Sequence, residues 1–279
     1  MSKLDPNWRL ARLEQLGLLE DPFKLSADPR YLYLGHEHLA AYRQVQGIIN
    51  FRRGLALITG GPGTGKSSIA RRVFDVYYDE PDVDIIYIAT SNFRTSMAAA
   101  RNISAALEKM NISLKSRYDD QIEALKHGIA TAYSAGRNIV ILLDDVQLMS
   151  KNALGVIHEL YNFDFDEKAA QVIAFGQEES TELFKKYPAI DSRVFIRMSI
   201  PPMTLVSALQ MVLFRLRTAG RESPLIHDDA FALLYEASSG IPRDIVRLCA
   251  MATDTLLENE ANMVTLEIMQ EVVNRHDRA

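Results

Sequence analysis

The chain has 279 residues, of which 48% are hydrophobic and 24% charged, values typical of a globular protein with one large core and a smaller second one. Its formal net charge of -5 excludes a global basic field, so contact with a nucleic acid requires a local basic patch or the repetition of small patches in an oligomer. The single cysteine, Cys249, excludes a disulfide framework and predicts a reducing, cytoplasmic location.

Residues 1–48 are predicted to form a lead-in before the first domain. Its start, MSKLDPNWRLARLEQ, is too charged for a signal peptide, and no apolar run in the chain approaches the roughly 20 residues that span a bilayer. We therefore predict no membrane contact. The segment DPFKLSADPRYLYLG, punctuated by Pro22 and Pro29, comes before a short predicted helix around His38 to Ile49.

Apolar runs alternate with helical patterns through the middle of the chain. The runs predict strands at Leu55–Thr59, Asp84–Ala89, Ile139–Leu143, Gln171–Phe175 and Val194–Ile200. This alternation predicts an α/β domain over residues 49–200, with a parallel sheet covered by helices on both faces. The pair Pro201-Pro202 breaks the pattern and four helical patterns follow, which predicts a small all-helical domain over residues 201–279.

A phosphate-binding loop joins the first predicted strand to the next helix. The stretch GGPGTGKSS has the spacing G-x-x-x-x-G-K-[ST] directly after a strand and before a helix, which makes a glycine-rich turn without a ligand a poor alternative. Backbone N–H groups of such a loop surround phosphates, Lys66 supplies charge to their oxygens, and Ser67 is a ligand for Mg²⁺. We predict ATP and Mg²⁺ as cofactors, with nucleotide contacts from Gly60, Gly61, Pro62, Gly63, Thr64, Gly65, Lys66, Ser67 and Ser68.

Two aspartates follow the third strand in ILLDDVQLM. A carboxylate at the end of this strand lies beside the phosphate loop in a nucleotide-binding sheet, so Asp144 is predicted to hold Mg²⁺ together with Ser67. Asp145 is predicted to orient the attacking water with a side chain one methylene shorter than glutamate. The alternative is that Asp145 only caps the helix that follows, and the two roles are compatible.

Three further polar residues are candidates for the site. Gln177 follows the fourth strand, where it would either contact the γ-phosphate or be an ordinary turn residue. Arg193 precedes the fifth strand and is predicted to reach the nucleotide of a neighbouring subunit, the alternative being a solvated or salt-bridged arginine. Arg243 follows Pro242 at the start of a helix that is predicted to fold back over the nucleotide, with a helix-surface charge as the alternative.

These motifs resemble those of the AAA+ ATPases of the ExeA and TnsC group, over nearly the whole chain. The residues that carry the resemblance are GGPGTGKSS, ILLDDVQLM, FGQEES, DSRVFIRM and GIPRDIVRLC, preceded by DPFKLSADPRYLYLGHEHLAAY. That group is associated with accessory ATPases of type II secretion and with regulators that choose DNA targets for transposons. The resemblance implies a P-loop AAA+ three-layer α/β domain with a helical lid domain. It also implies that the lead-in packs on the nucleotide site, with Tyr33 and Leu34 beside the adenine.

Two features depart from the group. Its members commonly carry Asp-Glu where this chain has Asp144-Asp145, which favours slow hydrolysis. Secretion-type members usually continue into a membrane segment and a wall-binding domain, whereas this sequence ends at Ala279, which favours a free-standing regulator.

The favoured hypothesis is therefore a slow ATPase that forms a homo-oligomeric ring or helical filament on duplex DNA. It would bind DNA without sequence preference and recruit a transposase and a target-selection adaptor protein. The alternatives are a secretion or envelope accessory ATPase and an ATP-dependent scaffold that does not hydrolyse. Group members contact DNA from the region of KMNISLKSRYDD, which implies Lys109, Lys115 and Arg117 as DNA contacts, unless they form a solvated basic loop.

Overall fold

The computed structural model describes residues 8–25, 28–161 and 168–276. The outer ends of the first and last predicted domains, residues 1–7 and 277–279, lie outside these ranges. Two compact units divide the chain. The first comprises the described residues within Met1–Glu37, Gly63–Gly65 and Pro202–Ala279, and the second comprises those within His38–Pro62 and Lys66–Pro201. The domain bounds given above stay predictions.

Helices and strands alternate along the second unit, and helices alone make up the end of the chain. The helices are α1 (Trp8–Gln15), α2 (His36–Asn50), α3 (Lys66–Tyr77), α4 (Ser96–Ala106), α5 (Tyr118–Ser134), α6 (Lys151–Glu159), α7 (Glu179–Lys185), α8 (Pro188–Asp191), α9 (Leu205–Thr218), α10 (Asp228–Ser238), α11 (Pro242–Glu258) and α12 (Leu266–His276). The strands are β1 (Leu55–Thr59), β2 (Val83–Ile88), β3 (Asn138–Leu143), β4 (Ala170–Gly176) and β5 (Val194–Ser199). Short 3-10 helices lie at Pro29–Tyr31, Glu108–Met110 and Val146–Leu148.

The five strands form one parallel sheet in the order β2-β3-β4-β1-β5. The predicted parallel sheet is confirmed, and no strand end differs from the prediction by more than one residue. Strands β1, β3 and β4 are buried along their whole length, as expected for a sheet covered on both faces. Because β3, β4 and β1 are neighbours and parallel, the loops that follow them meet at one edge of the sheet.

A second hydrophobic core lies in the first unit, between the lead-in and α9 to α12. The buried Arg215 of α9 donates to the backbone carbonyl oxygens of Pro22, Tyr31 and Lys24 at 2.8, 3.2 and 2.9 Å. Burial lowers the pKa of this guanidinium, and the three carbonyl groups compensate part of that cost. Pro22, Lys24 and Tyr31 are therefore fixed to α9 through their backbone carbonyl groups.

None of the helices in the described ranges combines the length and the apolar character that a membrane span requires.

Candidate nucleotide-binding and hydrolysis site

The loop between β1 and α3 has the backbone geometry of a phosphate cradle. Gly63 and Gly65 have φ angles of +79° and +96°, in the left-handed region that glycine adopts without a steric cost. Helix α3 begins at Lys66, directly after these turns. Its first N–H groups have no partner inside the helix, and the helix dipole favours an anion at this end. The loop therefore fits the phosphates of a nucleotide.

Lys66 supplies the positive charge of this loop. Its side chain is buried, and Nζ donates to the carbonyl oxygens of Gly60 and Gly61 at 2.8 Å each. A buried ammonium is costly unless polar groups surround it, so the two carbonyl groups hold it against the loop. A phosphate oxygen is a stronger acceptor for this cation than a neutral carbonyl group.

The carbonyl oxygen of Gly63 accepts a hydrogen bond from the backbone N–H of Arg243 at 3.4 Å. A Cβ atom on Gly63 would lie 2.9 Å from Ile241 Cγ2 and 3.0 Å from Arg243 Cβ, so only glycine fits this approach. Helix α11 begins at Pro242, so Arg243 is its second residue and lies beside Gly63. The structure thus brings Arg243 against Gly63, while its contact with a nucleotide stays a prediction.

Asp144 directly follows β3 and is only 2% exposed. Its Oδ1 accepts from the backbone N–H of Asp145 at 2.9 Å, and its Oδ2 accepts from the hydroxyl of Tyr87 at 3.0 Å. Tyr87 lies on the neighbouring strand β2, and burial followed by the charge of Asp144 raises its pKa to about 12. The carboxylate is oriented from two sides, as a metal-binding acid requires.

Tyr87 is a part of this site that the sequence analysis missed. An aromatic residue is ordinary in a strand, and VDIIYI has no polar spacing that singles it out. Only the pairing of β2 with β3 places its hydroxyl on the carboxylate.

Asp145 adopts the left-handed conformation, with φ 54° and ψ 41°. It precedes the 3-10 helix Val146–Leu148, but within the described residues its side chain makes no capping hydrogen bond to that helix. Its Oδ1 instead accepts from Nε2 of Gln147 at 2.9 Å. A role as a helix cap alone therefore lacks its hydrogen bond, and the carboxylate of Asp145 is held by Gln147 instead.

Gln177 directly follows β4 and is half-buried. Its backbone N–H donates to Oε1 of Gln147 at 3.1 Å. Since β3 and β4 are adjacent, Asp144, Asp145 and Gln177 lie at the same edge of the sheet as the end of β1. In the sequence these residues follow two different strands, and the pairing of β3 with β4 brings them together.

Arg193 is exposed immediately before β5, an edge strand of the sheet. Its backbone N–H donates to the carbonyl oxygen of Ile190 at 2.9 Å, which closes the short helix α8. Arg197, within β5, is paired with Asp191. An exposed position next to the outermost strand of the sheet is compatible with action on a neighbouring subunit. That action stays a prediction for Arg193.

The two residues predicted to contact the adenine lie in the first unit. The hydroxyl of Tyr33 donates to Oε1 of Gln210 at 2.9 Å, and its ring centroid is 5.6 Å from that of Phe214. Burial and then the charge of Glu37 raise the pKa of Tyr33. Leu34 is half-buried next to it in the chain. The side chain of Tyr33 therefore packs against helix α9, and its contact with adenine stays a prediction.

The three candidate DNA contacts lie between α4 and the start of α5. Lys109 Nζ is 3.9 Å from Asp84 Oδ1 and 5.8 Å from the ring centroid of Tyr78, so its charge is partly compensated. Lys115 is half-buried, and Arg117 is exposed directly before α5. Lys109 and Arg117 are exposed and Lys115 is half-buried, and contact of all three with DNA stays a prediction.

Comparison with known proteins supports the fold. A family described as "AAA domain" matches residues 49–184. General secretion pathway protein A of Aeromonas hydrophila is 28% identical over 239 residues, which are 85% of this chain and 43% of that protein. The chain therefore spans less than half the length of this curated relative. This similarity agrees with the secretion ATPases within the group that the sequence resembles. A role in transposition stays a prediction.

Two solved structures of Aeropyrum pernix proteins have the same fold. The ORC2 protein in its ADPNP-ADP complexes matches with a TM-score of 0.66 at 14% identity, covering 89% of this chain and 72% of that chain. The ORC1 protein in complex with DNA matches with a TM-score of 0.66 at 16% identity, covering 90% and 70%. The predicted P-loop fold with a helical C-terminal region is confirmed.

Proposed function

We propose that the protein is an ATPase that binds ATP with Mg²⁺ and hydrolyses it slowly, because residues 49–184 match the family described as "AAA domain" and the chain has the fold of the ORC2 protein in its ADPNP-ADP complexes. The observation that carries this proposal is the pair of buried charges at one sheet edge, Lys66 at the start of α3 and Asp144 at the end of β3. Buried charges of opposite sign that are held by hydrogen bonds at a strand edge are typical of a site for an anion and its metal ion.

Each residue at this edge has a distinct task. The loop N–H groups and Lys66 bind the phosphates, while Ser67 and Asp144 would hold Mg²⁺, which neutralises phosphate charge when bound. Asp145 accepts a hydrogen bond from the attacking water and takes its proton as the water oxygen bonds to the γ-phosphorus. The bond from that phosphorus to the bridging oxygen then breaks, and ADP leaves. Gln177 and Arg243 are proposed contacts of the phosphates.

The direct test is phosphate release from ATP by the purified protein with and without Mg²⁺. Mg²⁺-dependent release that stops when Asp145 is changed to asparagine supports the proposal. Binding of ATP without any release, even at high protein concentration or with a partner, favours the scaffold that does not hydrolyse.

We expect Arg193→Ala to bind ATP as the parent does and to lose hydrolysis by about a hundredfold or more, because an arginine supplied in trans stabilises transition-state charge. Oligomers that form only with ATP should also be lost. Size-exclusion chromatography with ATP and single-turnover kinetics measure the two effects. Arg197→Ala, whose guanidinium is paired with Asp191, is the matched control.

Mixing the Arg193→Ala variant with a Lys66→Ala variant tests directly whether Arg193 acts on a neighbouring subunit. The Arg193→Ala and Lys66→Ala variants are each expected to be inactive alone, but a mixed interface pairs an intact Lys66 with an intact Arg193. Partial recovery of hydrolysis on mixing is expected. Full hydrolysis by isolated monomers contradicts action in trans.

We further propose that the ATP-bound oligomer, a ring or a helical filament, assembles on duplex DNA without sequence preference and recruits a transposase with its adaptor. The resemblance to target-selection regulators supports this, as does the position of Lys115 and Arg117. Each subunit would add a few phosphate contacts, so an oligomer compensates for the acidic net charge of -5. Such contacts position a protein on DNA and do not read its sequence.

Replacing Lys115 and Arg117 by glutamine is expected to weaken ATP-dependent DNA binding and to flatten its dependence on salt. Each lost phosphate contact lowers the slope of log affinity against log salt by about 0.9. Fluorescence anisotropy with a labelled duplex and a non-hydrolysable ATP analogue measures this. Lys185→Gln with Lys186→Gln, an exposed basic pair elsewhere in the same unit, is the control.

A second candidate function is an accessory ATPase of a secretion or envelope assembly. The relative General secretion pathway protein A favours it, since 85% of this chain is aligned with that protein. If the parent protein binds no duplex DNA at low salt with the analogue, this second function is the one to pursue.

A further inference from the structure

Gln147 connects two of the residues that are predicted to act on the γ-phosphate. Its Nε2 donates to Asp145 Oδ1 at 2.9 Å, and its Oε1 accepts from the backbone N–H of Gln177 at 3.1 Å. The side-chain amide therefore spans from the end of β3 to the end of β4. It belongs to the 3-10 helix Val146–Leu148, which follows Asp145 directly.

The two partners determine the orientation of the amide. The N–H of Gln177 can only donate, so it selects the oxygen of Gln147, and the carboxylate of Asp145 can only accept, so it selects the nitrogen. A flipped amide would place an oxygen against a carboxylate and an N–H₂ group against an N–H. Only one orientation satisfies both ends.

The backbone is held in place at both ends of the Gln147 side chain, at Asp145 and at the end of β4. The left-handed conformation of Asp145 turns the chain into the 3-10 helix at once, which brings Gln147 back beside the aspartate. Gly176, the last residue of β4, lies against this helix, because a Cβ atom there would be 2.9 Å from Val146 Cγ2 and 2.0 Å from Ser180 Oγ. The span that Gln147 bridges is thus set by the packing of the helix on β4.

We propose that Gln147 is a positioning residue that fixes the Asp145 carboxylate for catalysis. A bond at Oδ1 fixes the rotation of the carboxylate, and so the direction in which Oδ2 accepts a hydrogen bond from water. Through Gln177, the same bridge ties that direction to the end of β4. This inference rests on the proposed hydrolytic role of Asp145 and adds a residue that acts only through it.

Two variants of Gln147 separate positioning from packing. Gln147→Met keeps the length of the side chain and loses both hydrogen bonds. Gln147→Glu keeps the shape and still accepts from Gln177, but it places a second carboxylate against Asp145 and offers it no donor. Packing alone predicts that Glu is tolerated at least as well as Met, whereas positioning predicts that Glu is worse.

We expect kcat to fall about tenfold for Gln147→Met and about a hundredfold for Gln147→Glu, because misplacement of a catalytic group by one bond length has effects of this size. KM and the affinity for ATP should stay within about twofold, since an interaction made only in the transition state lowers kcat alone. Leu148→Ala, which truncates an exposed neighbour in the same 3-10 helix, is the control and should keep the parental rate.

The experiment compares single-turnover hydrolysis, ATP titration and thermal unfolding for the parent, Asp145→Asn, Leu148→Ala and both Gln147 variants. Parental rates for both Gln147 variants beside an inactive Asp145→Asn overturn the inference and leave the proposed function intact. A Gln147→Glu variant that is as active as Gln147→Met, or a loss of ATP affinity together with a lower unfolding temperature, also overturns it. If Asp145→Asn keeps the parental rate, the proposed role of Asp145 fails first.

Discussion

Lys66→Ala is expected to reduce ATP affinity by about thirtyfold to a few thousandfold. Removing one partner of a buried, hydrogen-bonded charge pair costs roughly 2–5 kcal/mol, and 1.4 kcal/mol is a factor of ten. Lys66 is only 7% exposed and lies on the loop that would surround the phosphates. Titration of a fluorescent ATP analogue, followed by chromatography with ATP, measures binding and ATP-induced assembly.

The control for this prediction must separate binding from folding, because Lys66 Nζ also bonds to Gly60 and Gly61. Lys66→Met keeps most of the side-chain volume, and its unfolding temperature shows whether the loop is retained. Lys185→Ala removes an exposed lysine that is paired with Glu182 and should bind ATP normally. Unchanged affinity and unchanged assembly in Lys66→Met would remove the central proposal. In the same titration, Ser67→Ala and Asp144→Asn should raise the Mg²⁺ requirement.

The features that sequence alone predicted well are local ones. The phosphate loop is a contiguous motif, and the positive φ angles of Gly63 and Gly65 are a local requirement of its turns. The strands were predictable because β1, β3 and β4 are buried on both faces and so read as continuous apolar runs. A helix was expected directly after Asp145, but α6 begins at Lys151, where Oγ of Ser150 accepts from the N–H of Ala153 as its cap.

The features that sequence did not predict depend on residues distant in the chain. Arg215 lies in an amphipathic helical pattern, where an arginine is ordinarily solvated, yet it donates to main-chain oxygens of the lead-in almost two hundred residues earlier. Tyr87 reaches Asp144 only because β2 pairs with β3. Gln147 gains its role because β4 ends beside the helix that contains it. In each case strand order or helix packing, rather than spacing, creates the contact.

Asp145→Asn is expected to abolish measurable hydrolysis while ATP binding and ATP-dependent assembly persist. Asparagine keeps the size of aspartate and tolerates the left-handed backbone at φ 54°, so the fold should be retained. It cannot accept a proton from water, and loss of a general base typically costs a factor of about 10² to 10⁴. Single-turnover hydrolysis and the lifetime of the oligomer after ATP is removed measure the two properties. A parental rate in this variant contradicts the proposed role of Asp145 as the general base.

Asp145→Glu tests the same mechanism in the opposite direction. The longer side chain brings a carboxylate nearer to the γ-phosphate, so hydrolysis is expected to be as fast as in the parent or faster, and the assembly should dissociate sooner. The change also has a cost, because a left-handed backbone disfavours most side chains by roughly 1–2 kcal/mol and glutamate lacks the local hydrogen bonding that favours aspartate there. A variant with lower unfolding stability but undiminished turnover is therefore expected. Slow turnover keeps an ATP-bound assembly intact long enough to recruit a partner. The shorter acid at position 145 therefore suits a regulator that stays in its ATP-bound state better than a motor that needs rapid hydrolysis. Slower hydrolysis in Asp145→Glu at full ATP occupancy would show instead that the backbone geometry at this position, and not the length of the acid, limits the rate.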